Sequence, residues 1–225
     1  MFNTILELTK YRLSLSVIFS SVAGYLIAID SFSIETFLLL FFGGFFLVGA
    51  SNGFNQIIER ERDSIMDRTK NRPIPLGKIS PRSAFIICLI MILSGIVLLY
   101  LINFRTAFFG LISALIYLFI YTPLKTRTPL CVFFGAISGA IPFMLGWIAA
   151  TNKFGIEPGV LFMIQFFWQF PHFWAIGWLS DDDYKKAGFK MLPTGKKDKS
   201  TAFQIVFYTI WTILASLIPL SGFSG

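Results

Sequence analysis

The stretch FLLLFFGGFFLVGASNGFNQIIERERD, residues 37–63, runs from a long apolar segment directly into alternating acidic and basic residues. A helix of about 20 apolar residues is long enough to cross the roughly 30 Å hydrocarbon core of a bilayer. Residues 35–58 therefore form a predicted transmembrane helix, and the charged residues after them lie where that helix leaves the membrane.

The rest of the chain follows the same pattern. Of its 225 residues, 55% are hydrophobic and only 14% are charged, whereas a soluble globular chain carries about 25% charged residues. The apolar segments predict seven spans at residues 13–29, 35–58, 83–102, 106–122, 129–151, 157–179 and 201–220. We predict an all-α fold, a polytopic transmembrane helical bundle that forms a single domain over residues 1–225.

Basic residues are distributed unevenly between the two sides of this predicted bundle. All of the 19 lysines and arginines except Arg105 and Lys153 fall on one side. The positive-inside rule makes that side cytoplasmic. We therefore expect an integral multi-pass protein of the bacterial plasma (inner) membrane, and we interpret the net charge of +7 as a topology signal rather than as a sign of nucleic-acid binding.

Oxygen-bearing side chains recur at every fourth position where the second span leaves the membrane: Asn55, Glu59, Asp63 and Asp67. On a continuous helix these four side chains form one stripe, and like charges at this spacing repel each other. A bound cation would offset that repulsion. Mg²⁺ commonly takes one or two carboxylates and completes its shell with water and substrate phosphates.

A basic tail, RTKNRP at residues 68–73, follows this acidic ladder. Its Arg68, Lys70 and Arg72 side chains can donate charge-assisted hydrogen bonds to phosphate oxygens. The ladder and the tail together suit a diphosphate carried on Mg²⁺ better than they suit either ion alone. The alternative is a solvated helix end whose charges pair locally, but the length of the ladder and its position at the membrane favour the metal site.

Two further polar loops open on the same side of the membrane. They are YTPLKTRTP at residues 121–129 and SDDDYKKAGFKMLPTGKK at residues 180–197. Asp181, Asp182 and Asp183 could complete a second cation site that faces the ladder. The alternative is an acidic helix end balanced by the two lysines that follow it.

The sixth span contains the only histidine, in QFFWQFPHFW at residues 165–174. Gln165, Gln169 and His172 lie on one side of a helix. Polar residues at membrane depth are costly and generally face an internal cavity. With Trp168 beside them, they predict the wall of a pocket for a large, flat, apolar molecule, while the alternative is a histidine that packs against a neighbouring helix.

These segments, together with GAISGAIPFMLGW at residues 135–147, resemble the protoheme IX farnesyltransferase (haem O synthase) branch of the UbiA-type intramembrane prenyltransferases. The resemblance covers residues 8–200, and the ladder by itself would indicate only the wider superfamily. It implies Mg²⁺-dependent transfer of a farnesyl group from farnesyl diphosphate to a vinyl group of haem b, which gives haem O for terminal oxidases.

The resemblance also implies roles for individual residues. The implied Mg²⁺ ligands are Asn55, Glu59, Asp63, Asp67, Asp182 and Asp183. The implied catalytic residues are Asn55, Asp63, Asp67 and Lys125. The implied diphosphate contacts are Arg68, Lys70, Arg72 and Arg127. The implied haem pocket contains Trp168, Gln169 and His172.

The chain departs from the family pattern in two ways. Its second acidic motif is a compact DDD rather than DxxxD. Seven spans are predicted where the family usually has nine, so we expect either that the sequence is incomplete at its C-terminus or that this member lacks the last two helices. The implied partners are farnesyl diphosphate and haem b as substrates, membrane lipid, and either a second copy of the chain or the haem A synthesis or oxidase assembly machinery.

Two other functions are compatible with parts of the pattern. A UbiA-type prenyltransferase acting on a quinone or aromatic precursor would share the ladder but would not need the polar stripe around His172. A non-enzymatic cation transporter would use the acidic residues as an ion path, but those residues cluster at one mouth and do not continue through the spans.

Overall fold

A computed structural model describes residues 1–221, and this part of the chain consists of helices and turns without a strand. The helices are α1 (Phe2–Leu8), α2 (Tyr11–Ala28), α3 (Ile34–Ile58), α4 (Arg60–Asp63), α5 (Pro81–Ile102), α6 (Phe104–Leu115), a π-helix (Ile116–Tyr121), α7 (Thr122–Leu124), α8 (Cys131–Thr151), α9 (Ile156–Leu179), α10 (Asp181–Lys186), α11 (Lys199–Leu217) and a 3₁₀ turn (Ile218–Ser221). The prediction of an all-α fold is confirmed.

Each of the seven predicted spans is helical in the structure. Within residues 1–221, six helical segments are long and apolar enough to cross a membrane: α2, α3, α5, the continuous run Phe104–Leu124, α8 and α11. The remaining span is α9, which is 24 residues long. It carries the polar residues Gln165, Gln169 and His172 within an otherwise largely apolar sequence.

Helix α8 lies at the centre of the bundle. It packs against α2, α6 and α9, whereas α3 packs mainly against α5, and α11 packs against α9. In the most apolar stretch of α8, 67% of the residues are buried. The corresponding share is 17% in α5 and 11% in α11. The apolar outer faces of α5 and α11 are therefore the surfaces that suit contact with lipid.

Glycines allow α2 and α8 to approach each other closely. A Cβ atom on Gly146 of α8 would overlap the carbonyl oxygen of Ser21 in α2. A Cβ atom on Gly24 of α2 would overlap the carbonyl oxygen of Phe143. Small residues at such crossings let helix backbones pack directly, which is a main source of helix association in membranes.

The ladder segment departs from the expected continuous helix. Helix α3 ends at Ile58, Glu59 has φ −93° and ψ 7°, and α4 is only four residues long. After Asp63 the chain turns back, and the Thr69 hydroxyl donates to the Asp63 carbonyl oxygen at 2.9 Å. The prediction that one continuous helix carries the whole ladder is wrong, because the helix breaks at Glu59. Past Asp63 the basic tail folds back and pairs with the ladder carboxylates.

We predict that Gly146→Ala destabilises the bundle by about 1–3 kcal/mol, the usual effect of forcing extra atoms into a packed core. The matched control is Gly159→Ala in α9, where an added Cβ atom meets nothing within 4 Å. Thermal unfolding of the detergent-solubilised protein measures both variants. An unchanged melting temperature for Gly146→Ala would contradict the direct α2–α8 contact.

Candidate active site

A cavity of about 460 Å³ opens inside the bundle beneath the three polar loops. Its walls come from α2, α3, α6, the π-helix, α8 and α9. Its volume is within the roughly 300–1,000 Å³ typical of ligand pockets. Charged side chains line the end next to the loops. Aromatic and aliphatic side chains, together with hydroxyl and amide groups, line the part that extends between the helices.

Two ion pairs occupy the charged end of the cavity. Both carboxylate oxygens of Asp63 lie 2.7 Å from Nη1 of Arg72, and Asp63 is fully buried. Lys125 Nζ lies 2.8 Å from Glu59 Oε1, and both of these side chains are buried. A buried charge is tolerated only when it is paired, so each carboxylate holds a base at the cavity wall.

Asn55 connects α3 to the π-helix segment. Its Nδ2 atom donates to the Thr122 hydroxyl at 3.2 Å, and that hydroxyl donates to the Tyr117 carbonyl oxygen at 2.8 Å. A π-helix is rare and occurs frequently at functional sites. Here it places Tyr117 and Tyr121 together on the cavity wall, with ring centroids 5.3 Å apart.

Lys10 is a site residue that sequence analysis missed. It precedes α2 in a left-handed conformation with φ 47°, and its Nζ atom donates to Asn55 Oδ1 at 3.3 Å. Burial, together with the nearby cations of Arg72 and Lys125, lowers the pKa of Lys10 to about 7. In the sequence, Lys10 is only one of the basic residues that indicate the cytoplasmic side. Its role in the site could not be predicted, because tertiary contacts bring it to α3.

The contacts that place Lys10 come from Gln56, one residue after Asn55. Gln56 Nε2 donates to the carbonyl oxygen of Leu8 at 2.7 Å and to that of Glu7 at 3.1 Å. These bonds hold the end of α1 against α3. The turn between α1 and α2 is therefore fixed beside the acidic ladder, and Lys10 points into the cavity.

The charged end of the cavity has an excess of bases. Its basic residues are Lys10, Arg68, Arg72 and Lys125, and its carboxylates are Glu59 and Asp63. A surplus of cationic donors of this kind suits a polyanion such as a diphosphate. The arrangement therefore offers several donors to one multiply charged group.

The two carboxylates also fit the donor chemistry of Mg²⁺. Within residues 1–221, no group of three or more His, Cys, Asp or Glu side chains is placed to hold a metal ion. Mg²⁺ does not require such a group, because it is usually bound through one or two carboxylates plus substrate phosphates. Glu59 and Asp63 line the cavity together with Asn55, so hard oxygen donors are present beside the bases.

Several predicted site residues lie outside this cavity: Asp67, Lys70, Arg127, Asp182 and Asp183. Asp67 is exposed and pairs with Lys70 at 2.6 Å and with Lys186 at 2.7 Å. Hydrogen bonds from Lys186 and Lys70 lower the pKa of Asp67 to about 2. Asp183 instead accepts hydrogen bonds from the backbone of the ladder turn.

The polar stripe predicted on α9 faces the cavity. Gln165, Gln169 and His172 all line it. Trp168 stacks on the His172 ring, with centroids 4.4 Å apart and an interplanar angle of 16°. A Cβ atom on Gly139 of α8 would lie 2.6 Å from Gln169 Nε2, so this glycine leaves room for the amide.

Comparison with known proteins gives one consistent family. Residues 17–225 match the family model described as "UbiA prenyltransferase family". A curated relative from Christiangramia forsetii, named protoheme IX farnesyltransferase, is 63% identical over 219 residues, which are 97% of this chain and 73% of the relative.

Solved structures share the fold. A structure of a digeranylgeranylglyceryl phosphate synthase has a TM-score of 0.80 at 25% identity and covers 97% of this chain and 77% of its own. A UbiA homologue from Archaeoglobus fulgidus bound to GPP and Mg²⁺ has a TM-score of 0.73 at 18% identity and covers 99% of this chain and 89% of its own. At that identity the second likeness is evidence for the fold alone.

We predict that Arg72→Met destabilises the protein by about 3 kcal/mol, because it leaves the buried Asp63 carboxylate without its partner. The matched control is Arg60→Met, since Arg60 pairs with Glu61 on the exposed surface, where such pairs contribute about 0–1 kcal/mol. Thermal unfolding of both variants in detergent gives the comparison. Equal melting temperatures would show that the Asp63–Arg72 pair does not stabilise the loop end.

Proposed function

Since the chain belongs to the UbiA prenyltransferase family, we propose that it transfers the farnesyl group of farnesyl diphosphate to a vinyl group of haem b and so makes haem O. The family assignment confirms the resemblance that the sequence motifs predicted. The proposed substrates are supported by the name of the Christiangramia forsetii relative, at 63% identity.

The observation that carries this proposal is the polarity of the cavity. A surplus of bases at the loop end adjoins a chamber between the helices that is lined mainly by aromatic and aliphatic side chains. A prenyl diphosphate has the same distribution of polarity, with a polyanionic head and an apolar tail. We propose that its head lies among Lys10, Arg68, Arg72 and Lys125, and that its tail extends towards α8 and α9.

We propose that Asp63 and Glu59, with Asn55, hold Mg²⁺ beside that head. When bound, Mg²⁺ supplies positive charge that stabilises the departing diphosphate. The Archaeoglobus fulgidus homologue, which shares the fold, binds Mg²⁺ together with GPP. Asp67 lies beyond the cavity, so it joins this ligand set only if the turn at residues 64–70 moves inward.

The bases then assist ionisation of the allylic C–O bond. The bond's electron pair leaves with the diphosphate, and donors already aimed at its oxygens stabilise the charge that develops. Arg72 contacts Asp63 through Nη1. A guanidinium has five N–H donors, so Arg72 can hold its carboxylate and still donate to a phosphate oxygen.

Aromatic side chains protect the farnesyl cation until it reacts. The rings of Tyr117, Tyr121 and Phe173 line the cavity next to the charged end. Their faces attract a cation, and a chamber that excludes water prevents its premature hydrolysis. The π electrons of the haem vinyl group then form the new C–C bond. The cation left on the vinyl carbon captures water, which loses a proton to give the hydroxyethylfarnesyl side chain.

We propose that the stripe on α9 holds haem b. His172 and Gln169 present polar atoms to the cavity, and Trp168 stacks against the imidazole ring. A neutral imidazole can bind haem iron or donate a hydrogen bond to the macrocycle. Either contact would orient a haem vinyl group towards the reacting end of the farnesyl chain.

We propose that residues 1–225 act as one transmembrane domain of the bacterial inner membrane, with the cavity mouth at the cytoplasm. The basic loops support this orientation through the positive-inside rule. The cavity mouth would then receive farnesyl diphosphate from the cytoplasm, while haem b would enter from the lipid. Association with a second copy, or with the haem A synthesis or oxidase assembly machinery, would carry haem O onward.

Expression of the chain in membranes that lack haem O tests the function. Haems extracted from these membranes are analysed by mass spectrometry, and we expect farnesylated haem. Asp63→Ala should abolish it, because this change removes a buried carboxylate from the charged end of the cavity. The exposed carboxylate variant Glu61→Ala should retain activity. A prenylated quinone or aromatic acid, with haem b unchanged, would support the alternative prenyltransferase.

We predict that His172→Ala loses most farnesylated haem yet binds farnesyl diphosphate normally, because the imidazole packs against the Trp168 and Phe173 rings and not against the charged residues. Haem absorption spectra and farnesyl diphosphate binding are measured on the same purified variant. A spectral change would indicate iron ligation, whereas lost activity with an unchanged spectrum would indicate a hydrogen bond. Product at the normal rate would contradict any role for His172 in holding haem.

A further inference from the structure

The side chain of Gln169 lies buried in the cavity wall without a polar partner. It is only 7% exposed and faces the cavity from α9, and among residues 1–221 no group forms a hydrogen bond with its amide. A buried polar group that is left unsatisfied is destabilising, and at membrane depth such groups generally serve a function. The Gln169 amide therefore indicates a polar ligand inside a chamber whose lining is otherwise mainly apolar.

The facing helix, α8, leaves room for this amide and adds a hydroxyl group beside it. A Cβ atom on Gly139 would lie 2.6 Å from Nε2 and 2.8 Å from Cδ of Gln169. The preceding residue, Ser138, also lines the cavity, and its hydroxyl donates to the Gly135 carbonyl oxygen at 3.1 Å. Because its proton is used in that bond, the Ser138 oxygen can act only as an acceptor towards the cavity.

Helix α6 contributes a second hydroxyl of the same kind. Ser113 lines the cavity, and its hydroxyl donates to the Ser138 carbonyl oxygen at 2.9 Å. Three helices thus present two acceptor oxygens and one amide to the chamber. A buried water molecule needs two to four polar partners, and this set of groups can supply them.

The depth of Gln169 suits a water molecule that reacts late. Along α8, Gly135 faces the Tyr121 ring next to the charged end, whereas Gly139 faces the Gln169 amide. Four residues correspond to about 6 Å along a helix. Water held at Gln169 would lie one turn below the aromatic rings that protect the farnesyl cation, yet within reach of a carbon atom joined to that cation.

We propose that Gln169 is a positioning residue which, with Ser138 and Ser113, holds the water molecule that captures the second cation of the reaction. The inference rests on the proposed function, because that reaction requires water to add after the C–C bond has formed. It deepens the function by naming the residue that determines whether the product carries a hydroxyl group.

The hydration step uses groups that the reaction already supplies. Formation of the C–C bond leaves the vinyl carbon next to the macrocycle with an empty orbital. The Gln169 carbonyl oxygen accepts from one O–H group of the water, and a lone pair of the water forms the new C–O bond. The proton that this oxygen then loses passes to the diphosphate ion released in the same turnover. The products are the hydroxyethylfarnesyl side chain and a protonated diphosphate.

Replacement of the amide by an apolar side chain tests the inference through the identity of the product. Without a held water, the second cation loses a proton from the neighbouring CH₂ group and becomes an alkene conjugated with the macrocycle. The alkene is lighter than the hydroxylated haem by one water molecule, so mass spectrometry of extracted haems separates the two. We expect Gln169→Leu in the full-length protein to raise the ratio of alkene to hydroxylated product roughly tenfold or more, as loss of a hydrogen bond to a charged group would.

Two further variants separate water placement from packing. Gln169→Glu keeps an acceptor oxygen, so the hydroxylated haem should remain its main product. Gly139→Ala leaves Gln169 in the chain, but the added Cβ atom displaces the amide and should raise the alkene ratio as leucine does. Gln169→Leu and Gly139→Ala act from opposite walls, so either one decides the question if the other does not accumulate in the membrane.

Gln204→Leu is the matched control. Gln204 lies on α11 and is not among the residues that line the cavity. The substitution makes the same change from amide to apolar side chain on a membrane helix. It should leave both the amount of farnesylated haem and the ratio of alkene to hydroxylated product unchanged.

Three results would overturn the inference. One is less product from Gln169→Leu and Gly139→Ala at the ratio of the unaltered protein, because the amide would then only hold haem or pack. Another is complete loss of product from both variants at an unchanged melting temperature, since Gln169 would then act before water adds. The third is an increased alkene ratio in His172→Ala but not in Gln169→Leu, which would assign the water to the imidazole. Failure of the proposed function is a separate result, because the unaltered protein would then make neither farnesylated haem.

Discussion

The ion pair between Asp63 and Arg72 is the contact on which the charged end of the cavity depends. It closes the chain back on itself over nine residues and leaves the Asp63 carboxylate fully buried. A buried carboxylate without a partner would be strongly destabilising, so the turn between these residues cannot relax away from α3. Arg68, which lies inside this turn, is consequently held at the cavity as well.

Pairing of this kind also prepares the site for its substrate. Donors that are fixed before the reaction need no reorganisation when negative charge develops, which is the main source of electrostatic catalysis. The Glu59–Lys125 ion pair likewise fixes the loop at residues 125–130 beside the cavity. In that loop the Lys125 carbonyl oxygen also accepts from the backbone N–H of Lys190 at 2.6 Å. Three loops are therefore tied together around one set of bases.

The membrane imposes a different constraint on the rest of the cavity. Polar side chains at that depth are tolerated only where they face the interior, and α9 turns its glutamines and His172 towards α8. Helix α8 accommodates them with glycines. A Cβ atom on Gly139 would collide with Gln169, and one on Gly135 would lie 2.9 Å from the Tyr121 ring. The absence of side chains at Gly135 and Gly139 of α8 therefore leaves the space that Tyr121 and Gln169 occupy at the cavity wall.

The sequence by itself determined the helical class, the positions of the spans and the cavity-facing stripe of α9, because span length and helical spacing are local properties of the chain. It also identified Asn55, Glu59 and Asp63 as residues that share one side. Only the tertiary structure decided that the helix breaks at Glu59, that Asp67 lies outside the cavity and that Lys10 lies inside it. Those outcomes depend on ion pairs and backbone hydrogen bonds between loops that are distant in the chain, and the energy of such contacts cannot be deduced from the spacing of residues within one segment.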